Sequence, residues 1–308
     1  MYLGDELTEI LEALEAGRDY FSVEPLQMQI GVTVLPHFPK DSTDRNRTSP
    51  FAFTGNKFEF RMLGSALSIA EPNIILNTVV AESLRQFADR LEQSTDWSRD
   101  LDSLIKETFS KHKRIIFNGN NYSDEWVQEA KKRGLSNLKT TMDALPELTS
   151  PKSIEVFRIH RIFTETELRS RYEILVEAYC KTIHIEALTM VEMVKTKIIP
   201  ACIDYQMDLS SLLMQKKACG DYDVSLEDQM LTNIAGLSSN LMTKLTALET
   251  TLLGTKNEQD ITARAGYYRD SVHAAIVETR LVVDELETLV SAKHWPFPTY
   301  AHLLYSVM

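Results

Sequence analysis

The sequence predicts an α+β fold, predominantly helical, in which short antiparallel strands precede an antiparallel bundle of long helices. Three observations carry this prediction. Glycine and proline contribute only 11 and 10 of 308 residues, so few positions interrupt a helix. Period-two alternation of apolar and polar residues is concentrated before residue 62, the signature of half-buried strands. From residue 164 onward three apolar stripes run at three- and four-residue spacing, which predicts domains at 1–163 and 164–308.

The elements follow in order. Leu7, Ile10, Leu11 and Leu14 fall on one helical face, Glu6, Glu9, Glu12 and Glu15 fill the other, and Gly17 supplies the stop. Those glutamates drift round the helix and read as a solvated face. Leu26, Met28, Ile30, Val32 and Val34 alternate with polar residues and glycine, predicting a strand over 26–34 that Pro36 and Pro39 end. A polar loop over 40–48 leads to two short strands, at 51–53 and 58–61, joined by Thr54-Gly55-Asn56, residues suited to a hairpin turn.

After Pro72, apolar residues from Ile75 to Leu91 predict a helix, and 101–109 predicts another. Ile115-Ile116-Phe117 is read as a short strand, closed by Asn118-Gly119-Asn120-Asn121, a turn without the GK[ST] that a phosphate loop requires. Ser123 caps a helix ending at Gly134, and 145–163, with Pro146 and Pro151, is read as a junction. Thr164 and Glu167 form a capping box. It opens a helix of about 50 Å along Leu168, Tyr172, Leu175, Tyr179, Ile183, Ala187, Met190, Val194 and Ile198, which is expected to stop at Pro200. The second stripe runs from Leu226 to Leu252 before Gly254, and the third from Val272 to Val290.

Composition excludes several classes. Apolar residues at 44% and charged residues at 25% suit a chain with a substantial core and exclude a disordered one. Lys and Arg number 33 against 44 Asp and Glu, for a net charge of −11. That balance opposes binding to nucleic acid or an anionic membrane. No run of about 18 apolar residues is present, and Met1-Tyr2-Leu3-Gly4-Asp5-Glu6 lacks the features of a secretory leader. Cys180, Cys202 and Cys219 are odd in number and without CxxC spacing, so a reduced, cytoplasmic protein is expected.

One segment departs from the acidic background. Lys40, Arg45, Arg47, Lys57 and Arg61 face only Asp41, Asp44 and Glu59 over 40–61. With Phe58 and Phe60 pointing one way, Lys57, Glu59 and Arg61 project from the other face of the strand. One carboxylate between cations suits a divalent metal and an anionic substrate together. An exposed strand face carrying ion pairs is the alternative. The seven histidines show no shared ligand spacing; His160, between Arg158 and Arg161, is read as part of a charged surface, with anion binding as the alternative.

From Asp44 to Arg61 the sequence resembles the arginine-rich segment of glutamine synthetases, in particular the long type III form. The resemblance continues through Phe163-Thr164-Glu165, Ser170-Arg171-Tyr172-Glu173-Ile174, Glu186-Ala187-Leu188-Thr189-Met190 and Trp295-Pro296-Phe297-Pro298-Thr299-Tyr300. It implies a glutamate–ammonia ligase that makes glutamine from glutamate, ammonia and ATP through γ-glutamyl phosphate, with Mg²⁺ or Mn²⁺. The second arginine of the R-N-R motif, which contacts substrate and the transferring phosphoryl group, matches Arg47. The E-x-R pair matches Glu59 as metal ligand and Arg61 as glutamate-binding arginine, and Lys57 matches the basic residue near the ATP phosphates.

The family's further arginine on the first of these strands is missing from 49–56, and its E-x-E pair and N-terminal β-grasp domain find no match. The resemblance therefore implies the end of the catalytic domain followed by the C-terminal helical domain. The expected partners are a complementary N-terminal half or further copies in a homo-oligomer. A non-catalytic helical assembly protein derived from such an enzyme is the alternative. Alone, the chain is expected to be inactive, to bind nucleotide and metal weakly, and to self-associate.

Overall fold

The computed structural model describes residues 1–18, 27–28, 38–39, 49–62, 64, 67–298 and 300–305. The fold is predominantly helical, with two short antiparallel strand pairs. It divides into two compact units, unit 1 comprising Met1–Lys139 and Lys152–Phe163, and unit 2 comprising Thr140–Pro151 and Thr164–Met308. No helix among the described residues is long and apolar enough to cross a membrane.

Unit 1 begins with α1 (Asp5–Ala16), closed as its pattern predicts by Gly17 at φ 66°, a left-handed conformation that glycine adopts without a Cβ penalty. Two residues of the predicted 26–34 strand form β1 (Gln27–Met28), paired antiparallel with β2 (Phe38–Pro39). The rest of that prediction lies outside the described residues. Pro39 is thus part of a strand and not its terminator, a position a proline tolerates at an edge. The hairpin of β3 (Phe51–Phe53) and β4 (Phe58–Phe60) is as expected. Its register pairs Phe51 with Phe60, Ala52 with Glu59 and Phe53 with Phe58, and Gly55 turns at φ 92°. Tyr2 bridges to Ala52 on the far side of β3, so this short strand has neighbours on both edges.

The helices α2 (Ala70–Leu91) and α3 (Trp97–His112) follow, linked by Arg90 donating to the Glu107 carboxylate at 2.6 and 2.9 Å. The strand expected at 115–117 is absent. A 3₁₀ turn over Lys113–Ile115 takes its place, and the Phe117 N–H donates to the Met1 carbonyl at 2.9 Å. Asn118 accepts from the backbone N–H groups of Leu3 and Gly4 at 3.1 and 3.2 Å, and its amide donates to Thr8 Oγ1 at 2.8 Å. It thereby fixes the entry to α1. Ser123 caps α4 (Asp124–Lys132) by accepting from the Trp126 N–H, and Gly134 follows at φ 68°.

The junction expected at 145–163 is more ordered than its prolines suggested. In unit 2, α5 (Thr141–Ala144) runs into a 3₁₀ turn over Leu145–Thr149. Then α6 (Pro151–Ile159) starts on its proline, where the missing N–H costs nothing.

Unit 2 is built on long helices. The Thr164–Glu167 capping box opens α7 (Glu165–Met193) as predicted. The predicted stop at Pro200 does not occur. A π turn over Val194–Ile198 carries the chain into α8 (Ile199–Cys219). Proline lacks the N–H and crowds the carbonyl four residues back; widening to five-residue hydrogen bonds, as the Ile199 N–H makes to Val194, relieves that conflict. The buried seam of α7 passes through Val176 and Cys180 in place of the expected Leu175 and Tyr179, and the other helices are α9 (Ser225–Gly254), α10 (Ile261–Tyr267), α11 (His273–Leu289) and α12 (Tyr300–Tyr305). A second π turn, Tyr268–Val272, joins α10 to α11. Ile234, Leu241, Leu245 and Leu248 of α9 are fully enclosed, packed with Val194, Ile198, Leu286 and Val272 of the neighbouring elements.

Candidate functional site

The β3–β4 hairpin carries the charged residues that the sequence singles out. Ser49 is fully buried and donates to the Phe51 carbonyl at 2.8 Å, and the Arg61 N–H donates to the Pro50 carbonyl at 2.8 Å. These bonds fix the open end of the pair, and the Thr54 N–H closes the turn end by donating to the Lys57 carbonyl at 2.9 Å. Alternation along β4 then sends Phe58 and Phe60 to one side and Glu59 to the other.

Lys57, Glu59 and Arg61 meet as the spacing predicts. Lys57 Nζ lies 3.3 Å from Glu59 Oε1, and the Arg61 guanidinium donates through Nε and Nη2 to Glu59 Oε2 at 3.2 and 3.1 Å. The three differ in exposure. The Arg61 side chain is only 15% exposed, that of Glu59 37% and that of Lys57 66%. Hydrogen bonds from Arg61 and then Lys57 hold the Glu59 carboxyl below its ordinary pKa, so it is an anion throughout the neutral range. Arg47, with Arg45 and Lys40, lies outside the described residues.

The aromatic side of the hairpin is partly open as well. Phe58 is 51% exposed and Phe60 36%, and Phe51 stacks on Phe58 at 5.8 Å between ring centroids. The other side holds Glu59 opposite the fully buried Ala52.

A metal ion requires oxygen donors, six for octahedral Mg²⁺. Both oxygens of the half-exposed Glu59 carboxylate are engaged, Oε2 by Arg61 and Oε1 by the more exposed Lys57, so a metal at Oε1 would have to displace the Lys57 ammonium. Among the described residues no group of three or more His, Cys, Asp or Glu comes together. Among the described residues Glu59 has no second carboxylate beside it with which to share a metal ion.

Two further clusters were not legible in the sequence. A cleft of about 340 Å³ in unit 1 is lined by Thr8, Glu12, Lys113 and Arg133 among others. Its cations are engaged: Lys113 with Glu15 at 2.8 Å, and Arg133 with Glu129 at 2.7 Å and the Ile116 carbonyl at 2.8 Å. It is a structural junction of three separate chain segments. His160, considered for anions, instead lies with Nε2 2.8 Å from Glu82. Bonds from Arg85, Gln86 and His160 hold the Glu82 carboxyl far below the usual carboxylate range.

Comparison with known proteins adds the family context. Residues 100–217 match the family described as glutamine synthetase C-terminal domain. A glutamine synthetase of Butyrivibrio fibrisolvens is 40% identical over 317 aligned residues, which take in all of this chain and 44% of that protein. The type-3 glutamine synthetase of Dictyostelium discoideum is 37% identical over 99% of this chain and 43% of its own length. A glutamine synthetase of Bacteroides fragilis is 30% identical over 99% of this chain and 44% of its own length. The chain thus spans less than half the length of the curated relatives it matches.

Proposed function

We propose that this chain, homologous over its whole length to glutamine synthetases, supplies part of a glutamate–ammonia ligase site. The observation that carries the reading is the trio of Glu59 on β4 with Lys57 and Arg61 at its two ends, in which one carboxylate is held between an ammonium and a guanidinium at 3.3 and 3.1 Å. Forming an amide from glutamate and ammonia at the expense of ATP requires grip on one carboxylate and stabilisation of phosphoryl charge. Both tasks call for the residue types present here.

Each side chain has its own role in this reading. Arg61, held by Glu59 and largely covered, presents a rigid fork for the substrate's carboxylate. Lys57, more exposed and on a flexible stem, is a mobile point charge for ATP phosphates. Glu59 provides an oxygen ligand to Mg²⁺ or Mn²⁺ and keeps Arg61 oriented. A divalent metal held in part by Glu59 would supply neutralisation of phosphate charge there. Arg47 is assigned by resemblance to substrate and to the transferring phosphoryl group. The described residues bring no further carboxylates to Glu59, and in this reading the other oxygen ligands come from further copies or from a complementary part of such an enzyme.

The test is γ-glutamyl hydroxamate formation by the chain alone and mixed with a polypeptide corresponding to the rest of the Butyrivibrio relative. Activity in the mixture, lost in Arg61→Ala and Glu59→Gln, is the expected result. Inactivity of a mixture that forms a stable complex would leave the chain a helical assembly protein.

A further inference from the structure

The cleft of unit 1 between α1 and the ends of α3 and α4 keeps polar groups that the bonds of the fold do not use. Arg133, just past α4, lines it with its side chain only 29% exposed. Its Nε bonds Glu129 at 2.7 Å, and its Nη1 donates to the Ile116 and Arg114 carbonyls at 2.8 and 3.3 Å. The Trp126 ring lies 5.3 Å from the guanidinium carbon. These contacts hold the group in one place, yet Nη2 has no acceptor among the described residues.

Glu12, one turn beyond Thr8 on α1, lines the same cleft. It makes neither a hydrogen bond nor an ion pair among the described residues. The third charged group in the lining, Lys113, is engaged by both oxygens of Glu15 at 2.8 and 2.9 Å. Phe109, Ile116 and Phe117 supply apolar lining, and the volume of about 340 Å³ is that of a site for a small molecule.

The chemistry of the lining selects the ligand. A fixed guanidinium edge suits a carboxylate, and an unpaired carboxylate suits an ammonium. Glu12 opposes a simple anion and Arg133 a simple cation, whereas a molecule carrying both charges satisfies each. The aromatic and aliphatic lining then favours an apolar substituent. Because Arg133 is already held by Glu129, two carbonyls and Trp126, binding orders little that is not ordered beforehand.

We propose that this cleft binds a free α-amino acid with an apolar side chain, its carboxylate on Arg133 and its ammonium on Glu12. None of Lys57, Glu59 and Arg61 lines the cleft, so the site is separate from the trio and independent of the function proposed for it. A ligand bridging Glu12 and Arg133 ties α1 to the end of α4 and stabilises the folded unit in proportion to its occupancy.

Calorimetry, tryptophan fluorescence and thermal melts on the full chain, without nucleotide or metal, test this with L-leucine and L-phenylalanine as probes. The expected result is saturable one-to-one binding, a fluorescence change from Trp126 beside Arg133, and a higher melting temperature. Leucinamide, which lacks the carboxylate, and N-acetyl-leucine, which lacks the ammonium, each bind at least roughly 10-fold more weakly. Glu12→Gln weakens leucine binding by roughly 10- to 100-fold. Glu9→Gln, on the same helix outside the cleft, and Arg61→Lys, in the trio, leave it unchanged.

No saturable binding of either amino acid would overturn the proposal. So would equal binding of leucine, leucinamide and N-acetyl-leucine, or unaltered affinity in a folded Glu12→Gln chain. Binding lost in Arg61→Lys and kept in Glu12→Gln would place the amino acid at the trio and refute the cleft.

Discussion

Replacing Leu245 by alanine removes three carbon atoms from the centre of unit 2. Leu245 is fully buried on α9, in the cluster that contains Val194, Ile198, Leu241 and Leu286. Lost transfer free energy contributes about 2.4 kcal/mol, at roughly 0.8 kcal/mol per buried carbon. A cavity on the order of 70 Å³ adds up to about 1.7 kcal/mol where neighbours do not relax. They have little room to do so, since Val194 and Ile198 belong to the π turn that Pro200 imposes and Leu241 lies one helical turn away on the same helix. The predicted loss is therefore about 3–4 kcal/mol. Urea unfolding followed by helical circular dichroism, with the slope of the transition held in common, measures it. Leu281→Ala, at a position 63% exposed, serves as the control and is expected to cost less than about 0.5 kcal/mol. A Leu245→Ala loss under about 1 kcal/mol would refute the placement of α9 at the centre of the helical unit.

Other predictions concern backbone and charge. Gly254→Ala puts a Cβ 2.5 Å from the Tyr267 hydroxyl; it destabilises by about 1–3 kcal/mol, and Tyr267→Phe in the same chain restores part of the loss in thermal melts. Arg161, at φ 54°, is a non-glycine residue in the left-handed region, so Arg161→Gly raises the melting temperature by an amount equivalent to about 0.5–1 kcal/mol. Glu82 titrates below its unfolded value because Arg85, Gln86 and His160 bond its anion. Its contribution is thus full above about pH 4.3 and is lost as pH falls through the folded value. Acid unfolding monitored in Glu82→Gln should show a shallower fall in stability below pH 4.3 than the parent chain.

The sequence made individual elements legible wherever one residue type has one local use. Gly17 ends α1, Ser123 and Thr164 cap α4 and α7, and Gly55 turns the hairpin, each by backbone chemistry that needs no distant partner. The reading failed where a local rule met a tertiary one. Pro200 breaks an isolated α-helix, yet packing on both sides of it favours continuation through a π turn. Ile115-Ile116-Phe117 has the composition of a strand, but its backbone partner is Met1 and no strand forms. In the candidate site, alternation was enough to bring Lys57, Glu59 and Arg61 to one face. It gave no sign that Arg61 would be the most covered of the three and Lys57 the most exposed, because that depends on what else packs there. Contacts such as Asn118 with Thr8, or His160 with Glu82, join residues 110 and 78 positions apart and leave no trace in local spacing.

The most direct test of the central claim separates the roles within the trio in a complemented, active mixture. Steady-state hydroxamate assays are run while titrating Mg²⁺ and glutamate independently. The account predicts that Glu59→Gln raises the Mg²⁺ concentration for half-maximal rate by at least roughly 10-fold, whereas Arg61→Lys chiefly raises KM for glutamate. An unchanged Mg²⁺ requirement in Glu59→Gln, with activity retained, would contradict it.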